Sequence, residues 1–303
     1  MYVYEHVVTG DEENTRIDKL LVMLNGGYSR QQIQTWIKDQ NVKVNNKTVK
    51  ANYKCKRGDV VQWFVPEDAL FYIEPEPIPL DIIYEDDDII VINKPKGMLV
   101  HPTEHVQSGT LVNALKHYTD QLSTLSGEER PGIVHRLDQY TSGVLVVCKN
   151  NETHANLKDQ FKHHLVKRIY EAIVHGEIEF DNGVIQAPIG RDPKNRAKMA
   201  VVSSGKDAET HFNVLERMNG YTHVECSLIT GRTHQIRVHM QYINHPIVGD
   251  RLYSPFKTDL IQHQALFAKT LGFVHPRKEE YVEFSVERPQ DFENLLKICR
   301  NKA

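Results

Sequence analysis

The sequence predicts an α+β protein in two unequal modules, and three observations carry that expectation. Two amphipathic helical patterns followed by short alternating strands fill residues 14–65; a proline-dense stretch occupies residues 66–80; residues 81–300 intersperse short strand patterns with a few helical ones. At 303 residues the chain is long enough for a sizeable core and a second module.

After a short strand-like start and the acidic run Asp11-Glu12-Glu13, Ile17, Leu20, Leu21 and Leu24 share one helical stripe, which Gly26-Gly27 ends. Ser29 is placed to cap a second helix with Ile33, Trp36 and Ile37 on one face and Arg30, Gln31, Gln34 and Lys38 on the other. Val42-Lys43-Val44, the turn Asn45-Asn46 and a strand over residues 60–65 complete the module. Pro66, Pro75, Pro77 and Pro79 make the next stretch a stiff, extended connector.

The body opens with strands over 82–84 and 89–92 joined by Asp86-Asp87-Asp88, then a basic Pro/Gly loop over 93–102 with Lys94, Lys96 and His101. A helix is expected over 111–118 and an exposed loop over 122–129. Residues 130–149, R-P-G-I-V-H-R-L-D-Q-Y-T-S-G-V-L-V-V-C-K, read as strand, tight turn, strand, with Arg136 and Asp138 on one strand face. Asn150 or Asn151 caps a helix that turns Ala155, Leu157, Phe161 and Leu165 inward. Residues 167–176 alternate as a strand, and 187–198 form a loop carrying Arg191, Lys194, Arg196 and Lys198. Strands over 208–214 and 223–229 flank the hairpin turn Asn219-Gly220. In L-I-T-G-R-T-H-Q-I-R-V-H-M, residues 228–240, a strand passes into a helix, with Gly231 allowing the turn and Thr233 capping.

Hydrophobic content of 40% and charged content of 25% are those of a soluble globular protein. The longest apolar runs fall far short of a membrane span, and the start lacks a basic segment followed by a long apolar one, so a cytoplasmic location and no membrane partner are expected. Cys55, Cys148, Cys226 and Cys299 form no C-x-x-C, and the 16 histidines form no H-E-x-x-H; His234 and His239, five apart, miss a common helical face. No metal site is expected. The net charge of -3 conceals an asymmetry: residues 14–65 hold ten Lys/Arg against three acids, a net of +7, leaving -10 for the remainder. A basic module on an acidic body points to a localised polyanion-binding surface. No heptads or long apolar stripe demand a partner, and a monomer is expected.

H-R-L-D-x-x-T-S-G followed by an apolar strand resembles the signature of the RluA/RluD-type pseudouridine synthases. R-I-D-K-L-L, S-R-x-x-I-x-x-W-I, V-x-V-N and G-D-x-V between residues 16 and 61 resemble the S4 RNA-binding module. N-K-P-K-G, H-P-I-V-G-D-R-L-Y at 245–253, Q-A-L-x-A at 264–268 and F-x-H-P at 273–276 extend the first resemblance over nearly the whole chain. It implies a mixed, mostly antiparallel catalytic sheet, no cofactor, and structured RNA as partner, with large-subunit ribosomal RNA favoured and transfer RNA the alternative. Asp138 matches the family's catalytic aspartate, Tyr170 its active-site strand tyrosine, and Arg237 the arginine that pairs with the aspartate; Arg232 is a structural or RNA contact. Gln139-Tyr140 stand where the family often has Lys-Asp, Asn41 where the small module usually has a helix-ending Gly, and Asn46 where its turn has Gly. Asn tolerates positive φ best after Gly.

Converting uridine to pseudouridine breaks the N1 glycosidic bond, turns the base and rejoins it through C5. One carboxylate, an enclosed pocket and no cofactor suffice. Arg237 would keep Asp138 charged and aimed, since an opposite charge favours the ionised carboxylate that burial disfavours. A stacked uridine must be flipped out, and Arg136 is the candidate to fill the gap with its planar guanidinium. Tyr170 can pack on the flipped base, and the resemblance makes it a candidate general base for the final C5 proton loss. Phosphates would be held by Arg16, Lys19, Arg30, Lys43, Lys47, Lys50, Lys54 and Arg57 of the small module and by Arg191, Arg196 and Arg232 of the body. Two competing readings remain: a catalytically idle RNA-binding or ribosome-assembly protein, and a carboxylate hydrolase, which would want a second carboxylic acid that neither strong motif supplies.

Overall fold

The computed structural model describes residues 3–25, 28, 30–65, 73–103, 106–195 and 197–301. The Gly26-Gly27 stop, the Ser29 cap, the first half of the connector and Arg196 lie outside the described residues.

The N-terminal part holds β1 (Val3–Val7), α1 (Ile17–Leu24), α2 (Arg30–Lys38), β2 (Val42–Val44), β3 (Lys47–Thr48) and β4 (Val60–Phe64). Its strands pair antiparallel in the order β1-β4-β2-β3. The predicted stripes form its core, where Ile17, Leu20, Leu21, Ile33, Trp36 and Ile37 pack against Val42, Val61 and Trp63. Asn45 and Asn46 take φ of 49° and 63°, as their turn requires. The left-handed residue after α2 is Gln40 (φ 63°), not Asn41. Gln40 N–H donates to Ile37 O and Asn41 N–H to Trp36 O, a Schellman closure whose positive-φ position falls one residue before the expected asparagine.

The body is a 9-stranded sheet flanked by helices. Its elements are β5 (Ile82–Glu85), β6 (Ile89–Lys94), α3 (Leu111–Tyr118), β7 (Ser142–Cys148), α4 (Asn151–Lys162), β8 (Lys167–His175), β9 (Asn182–Gln186), β10 (Ile189–Arg191), β11 (Met199–Val201), β12 (Glu209–Met218), β13 (Tyr221–Leu228), α5 (Gln235–Tyr242), β14 (Leu266–Val274), β15 (Tyr281–Ser285) and α6 (Gln290–Asn301). The order is β5-β6-β7-β14-β8-β13-β12-β9, with β15 on β14. All pairs are antiparallel except β7 with β14, so the fold is α+β on a mixed, mostly antiparallel sheet. At that parallel seam the strands approach so closely that a Cβ on Gly143 (φ 119°) would lie 2.0 Å from Ala268 O. All seven residues of β7 are buried, Leu145 and Val147 in the cluster that includes α3, Val144 and Val146 in the one that includes α4.

Several local expectations need correction. Ahead of β7 there is no strand: Ile133 makes one isolated bridge to Val147, and residues 134–141 are a loop. Arg136 and Asp138 therefore share a loop rather than a strand face, and Gly143 serves the seam rather than a turn. Helix α4 is capped by Asn150, which accepts from Thr153 N, but buries Thr153, His154, Leu157 and Gln160, while Ala155 is exposed and Leu165 lies beyond the helix end. Gln160 can be inside because it bonds the backbone of Val274 in both directions. The segment 187–198 is not all loop, since β10 pairs β11. Helix α5 begins after His234 (φ 58°), not Thr233, and Gln235 supplies the local tie by accepting from Arg232 N.

Candidate active site

The loop before β7 is fastened from below. Leu137 is buried in the α3-side core. Lys94, wholly buried, donates through Nζ to Pro95 O, Met98 O and Gln139 O at 2.9, 2.8 and 3.2 Å. Gly97 N–H also donates to Gln139 O. Burial pulls the Lys94 pKa down to about 7, against the opposing charge of Asp138. The basic Pro/Gly loop over 93–102 thus turns one of its lysines inward and holds the residue after Asp138.

Across a cleft of about 580 Å³, the first turn of α5 presents Arg237. Its Nη1 donates to Asp138 Oδ2 at 3.0 Å. Its Nε and Nη2 make the two-point grip, but on Asp250, at 2.7 and 2.9 Å. Asp250 is 1% exposed and also accepts from the backbone N–H groups of Leu252 and Tyr253. Burial alone would weaken the Arg237 charge; the two carboxylates outweigh it and hold the pKa above the ordinary guanidinium value. The Tyr253 ring lies 4.9 Å from that guanidinium carbon. The Tyr253 hydroxyl is bonded to His234 Nδ1 at 2.7 Å and accepts from Met199 N–H. His234 Nε2 then stands 3.9 Å from Asp138 Oδ1, with burial lowering its pKa against the opposing charge of Asp138.

Tyr170 and Arg136 line the same cleft. Burial pushes the Tyr170 hydroxyl up to about 12, so the group enters as a neutral phenol. Arg136 is exposed on the loop two residues before Asp138. Arg168 also lines the wall, although sequence reasoning passed it over; Asp250 and His234 were missed in the same way. Asp250 stands inside the run 245–253, but only the fold shows that its carboxylate turns back to α5. Gly231 is not a left-handed turn glycine: a Cβ there would lie 2.6 Å from Arg168 Nη1, so its constraint is space.

Of the basic residues expected to meet RNA, Lys19, Lys43, Lys47, Lys50, Lys54 and Arg57 are exposed. Arg16 and Arg30 both hold the buried Asp18, which limits how much of their charge is open to a ligand. Arg191 is exposed at the end of β10, and Arg232, half-buried and donating through Nε to Asp207 O, lines both the cleft and an adjoining groove with Arg191 and Lys206. Among the described residues, Asp86, Asp88 and His275 are the group whose ligand-type atoms converge. Lys278 and Arg277 already occupy those carboxylates at 2.9 and 2.7 Å, which makes the group an ion-pair node.

A cleft with one aimed carboxylate, a neutral tyrosine and several guanidiniums is suited to chemistry on a nucleotide. Residues 88–242 match the RNA pseudouridylate synthase family and residues 15–61 the S4 domain. The chain is 51% identical to the uncharacterized RNA pseudouridine synthase YlyB of Bacillus subtilis, over 98% of both chains. It is 44% identical to the ribosomal large subunit pseudouridine synthase D of Neisseria meningitidis, over 95% of this chain and 79% of that one. Among solved structures, human RNA pseudouridylate synthase domain containing 1 is 25% identical with a TM-score of 0.59, covering 75% of this chain and 97% of that one. The chain belongs to the RNA pseudouridine synthase family: it is an isomerase acting on RNA, with an S4 domain at its N-terminal end. No helix among the described residues is long and apolar enough to cross a membrane.

Proposed function

We propose that this enzyme converts specific uridines of large-subunit ribosomal RNA to pseudouridine, with Asp138 as the reacting carboxylate. The observation that carries the reading is the 3.0 Å bond from Arg237 to Asp138 inside a basic cleft. Relatives named as ribosomal large subunit pseudouridine synthases support the substrate. The Asp138 carboxylate acts at the sugar or the base of the flipped uridine, and Arg237 holds it aimed. Arg136, exposed beside it, fills the place the base has left. Tyr170 packs on the flipped base; its tightly held proton favours this role over that of base in the C5 deprotonation.

In this reading residues 14–65 grip the RNA backbone through Lys19, Lys43, Lys47, Lys50, Lys54 and Arg57, residues 66–80 connect, and residues 81–300 carry the chemistry. The enzyme works as a monomer in the cytoplasm, where its RNA is made. Pseudouridine mapping of ribosomal RNA by carbodiimide labelling and primer extension, in cells carrying wild type or Asp138→Asn, tests the assignment. Defined large-subunit sites should vanish in the variant. Loss of transfer-RNA sites instead would move the substrate, and an unchanged map in both RNAs would refute the synthase reading of Asp138.

A further inference from the structure

Arg168 on β8 is two residues before Tyr170, so both side chains leave the same face of the strand and line the cleft. The residue is only 8% exposed. Its Nη2 donates to Ile229 O at 2.7 Å and Leu228 O at 3.3 Å, at the end of β13. Its Nε is buried and bonded to nothing, and no oxygen accepts from Nη1 among the described residues. The guanidinium lies over the Phe161 ring at 5.5 Å. No carboxylate pairs with it among the described residues, and the nearby charge of Arg232 repels it. A buried cation left in this state is costly unless an anion arrives. The glycine at 231 keeps Nη1 uncovered, since any side chain there would press on it.

We propose that Arg168, with Arg232 at the rim, seats a phosphate of the nucleotide that enters the cleft. The two N–H groups of Nη2 are fixed by carbonyls at the end of β13, and Nη1, uncovered beside Gly231, is left for a phosphate oxygen. Arg168 thus selects a nucleotide over a bare nucleoside, while Asp138 and Tyr170 handle the uridine itself. The identity of that nucleoside rests on the synthase reading; the phosphate seat does not.

The test compares binding of uridine, uridine 5′-monophosphate and uridine 3′-monophosphate to the full chain by ligand-observed NMR titration, using wild type, Arg168→Met, Arg168→Lys and Gly231→Ala. Wild type should bind one of the two monophosphates more tightly than uridine by on the order of tenfold, the size of one charge-assisted contact. Which monophosphate is favoured tells whether the 5′ or the 3′ phosphate is seated. Arg168→Met should remove that advantage, Arg168→Lys should keep only a part of it, and Gly231→Ala should erode it with the net charge unchanged. If Arg168→Met does not fold, the lysine and Gly231→Ala variants decide. Equal binding of nucleoside and nucleotides by wild type, absence of nucleotide binding, or an advantage retained in these variants would overturn the proposal. Tritium release from uridine-C5-labelled ribosomal RNA by the same wild-type preparation reports separately on the synthase reading. A nucleotide preference without tritium release would remove ribosomal RNA as the substrate and leave the phosphate seat standing.

Discussion

Replacing Asp250 by Asn should damage both stability and turnover, although Asp250 does not face the substrate. In the native site Asp250 Oδ1 accepts from Arg237 Nη2, Leu252 N and Tyr253 N, and Oδ2 from Arg237 Nε at 2.7 Å. An asparagine that keeps its oxygen on the three Oδ1 partners must point its NH2 at Arg237 Nε, donor against donor. Removing one partner of a buried ion pair costs about 3 to 5 kcal/mol. Asp138 remains as a second anion for Arg237, so we expect the lower end, about 3 kcal/mol, or a Tm lower by roughly 6 to 12 °C for a body of this size. The guanidinium would swing toward Asp138, and a displacement of about 1 Å at a reacting carboxylate costs about a hundredfold in rate. Asp138→Asn makes the opposite pattern: Arg237 keeps both bonds to Asp250, so the Tm should move by less than about 4 °C while turnover is abolished. Differential scanning calorimetry and tritium release from uridine-C5-labelled ribosomal RNA measure the two effects. Asp250→Asn with a Tm within about 2 °C of wild type and turnover within roughly threefold would refute the idea that Asp250 sets the position of Arg237.

Tyr170→Phe should keep turnover within about tenfold if the ring acts by packing on the base; a loss nearer the 10² to 10⁴ range of general-base catalysis would return the hydroxyl to the role of base. Changing Lys43, Lys47, Lys50 and Lys54 together to Gln should weaken RNA binding and flatten its salt dependence by about 0.7 to 0.9 in log–log slope for each phosphate no longer neutralised, measured by fluorescence anisotropy over salt; an unchanged slope would remove this face from the RNA path. Glu171→Gln should change acid stability. Burial alone would raise the Glu171 pKa, but His223, Arg288 and Lys269 bond its carboxylate and bring it down to about 2. A depressed carboxylate pKa contributes stability above the unfolded value, near 4.5, and loses it as pH falls through 2. That stretch of the stability curve should carry about 3 kcal/mol in wild type and be absent in the variant, by urea unfolding between about pH 2 and 6.

The sequence was most informative where a local pattern decides a local structure. The stripes of α1 and α2, the hairpin at Asn219-Gly220, the span of α3 and the Asn150 cap all follow from spacing and side-chain chemistry, and the structure has each of them. The errors cluster where a distant partner decides. Ile133-Val134 has the apolar content of a strand, but residues 134–141 are a loop that carries Arg136 and Asp138 toward the cleft. Gly143 and Gly231 read as turn glycines because turns are the usual reason for glycine. One is needed for a parallel seam with β14 and the other for room beside Arg168, neighbours 125 and 63 residues away along the chain.

Arg237 shows why the site was only half legible. The run containing it and the run containing Asp138 were both conspicuous, and the structure puts their side chains in contact across 99 residues of sequence. The two-point grip of Arg237 goes to Asp250, because a guanidinium 7% exposed needs more counter-charge than one partly open carboxylate can supply. Among the described residues the same need has no such answer at Arg168. Arg237 is buried with two carboxylates and is fixed; Arg168 is as buried, with two backbone carbonyls and an aromatic face, and its Nη1 awaits an anion. In an enzyme whose substrate is a polyanion, a buried cation whose anion the protein does not provide is where that substrate's charge belongs.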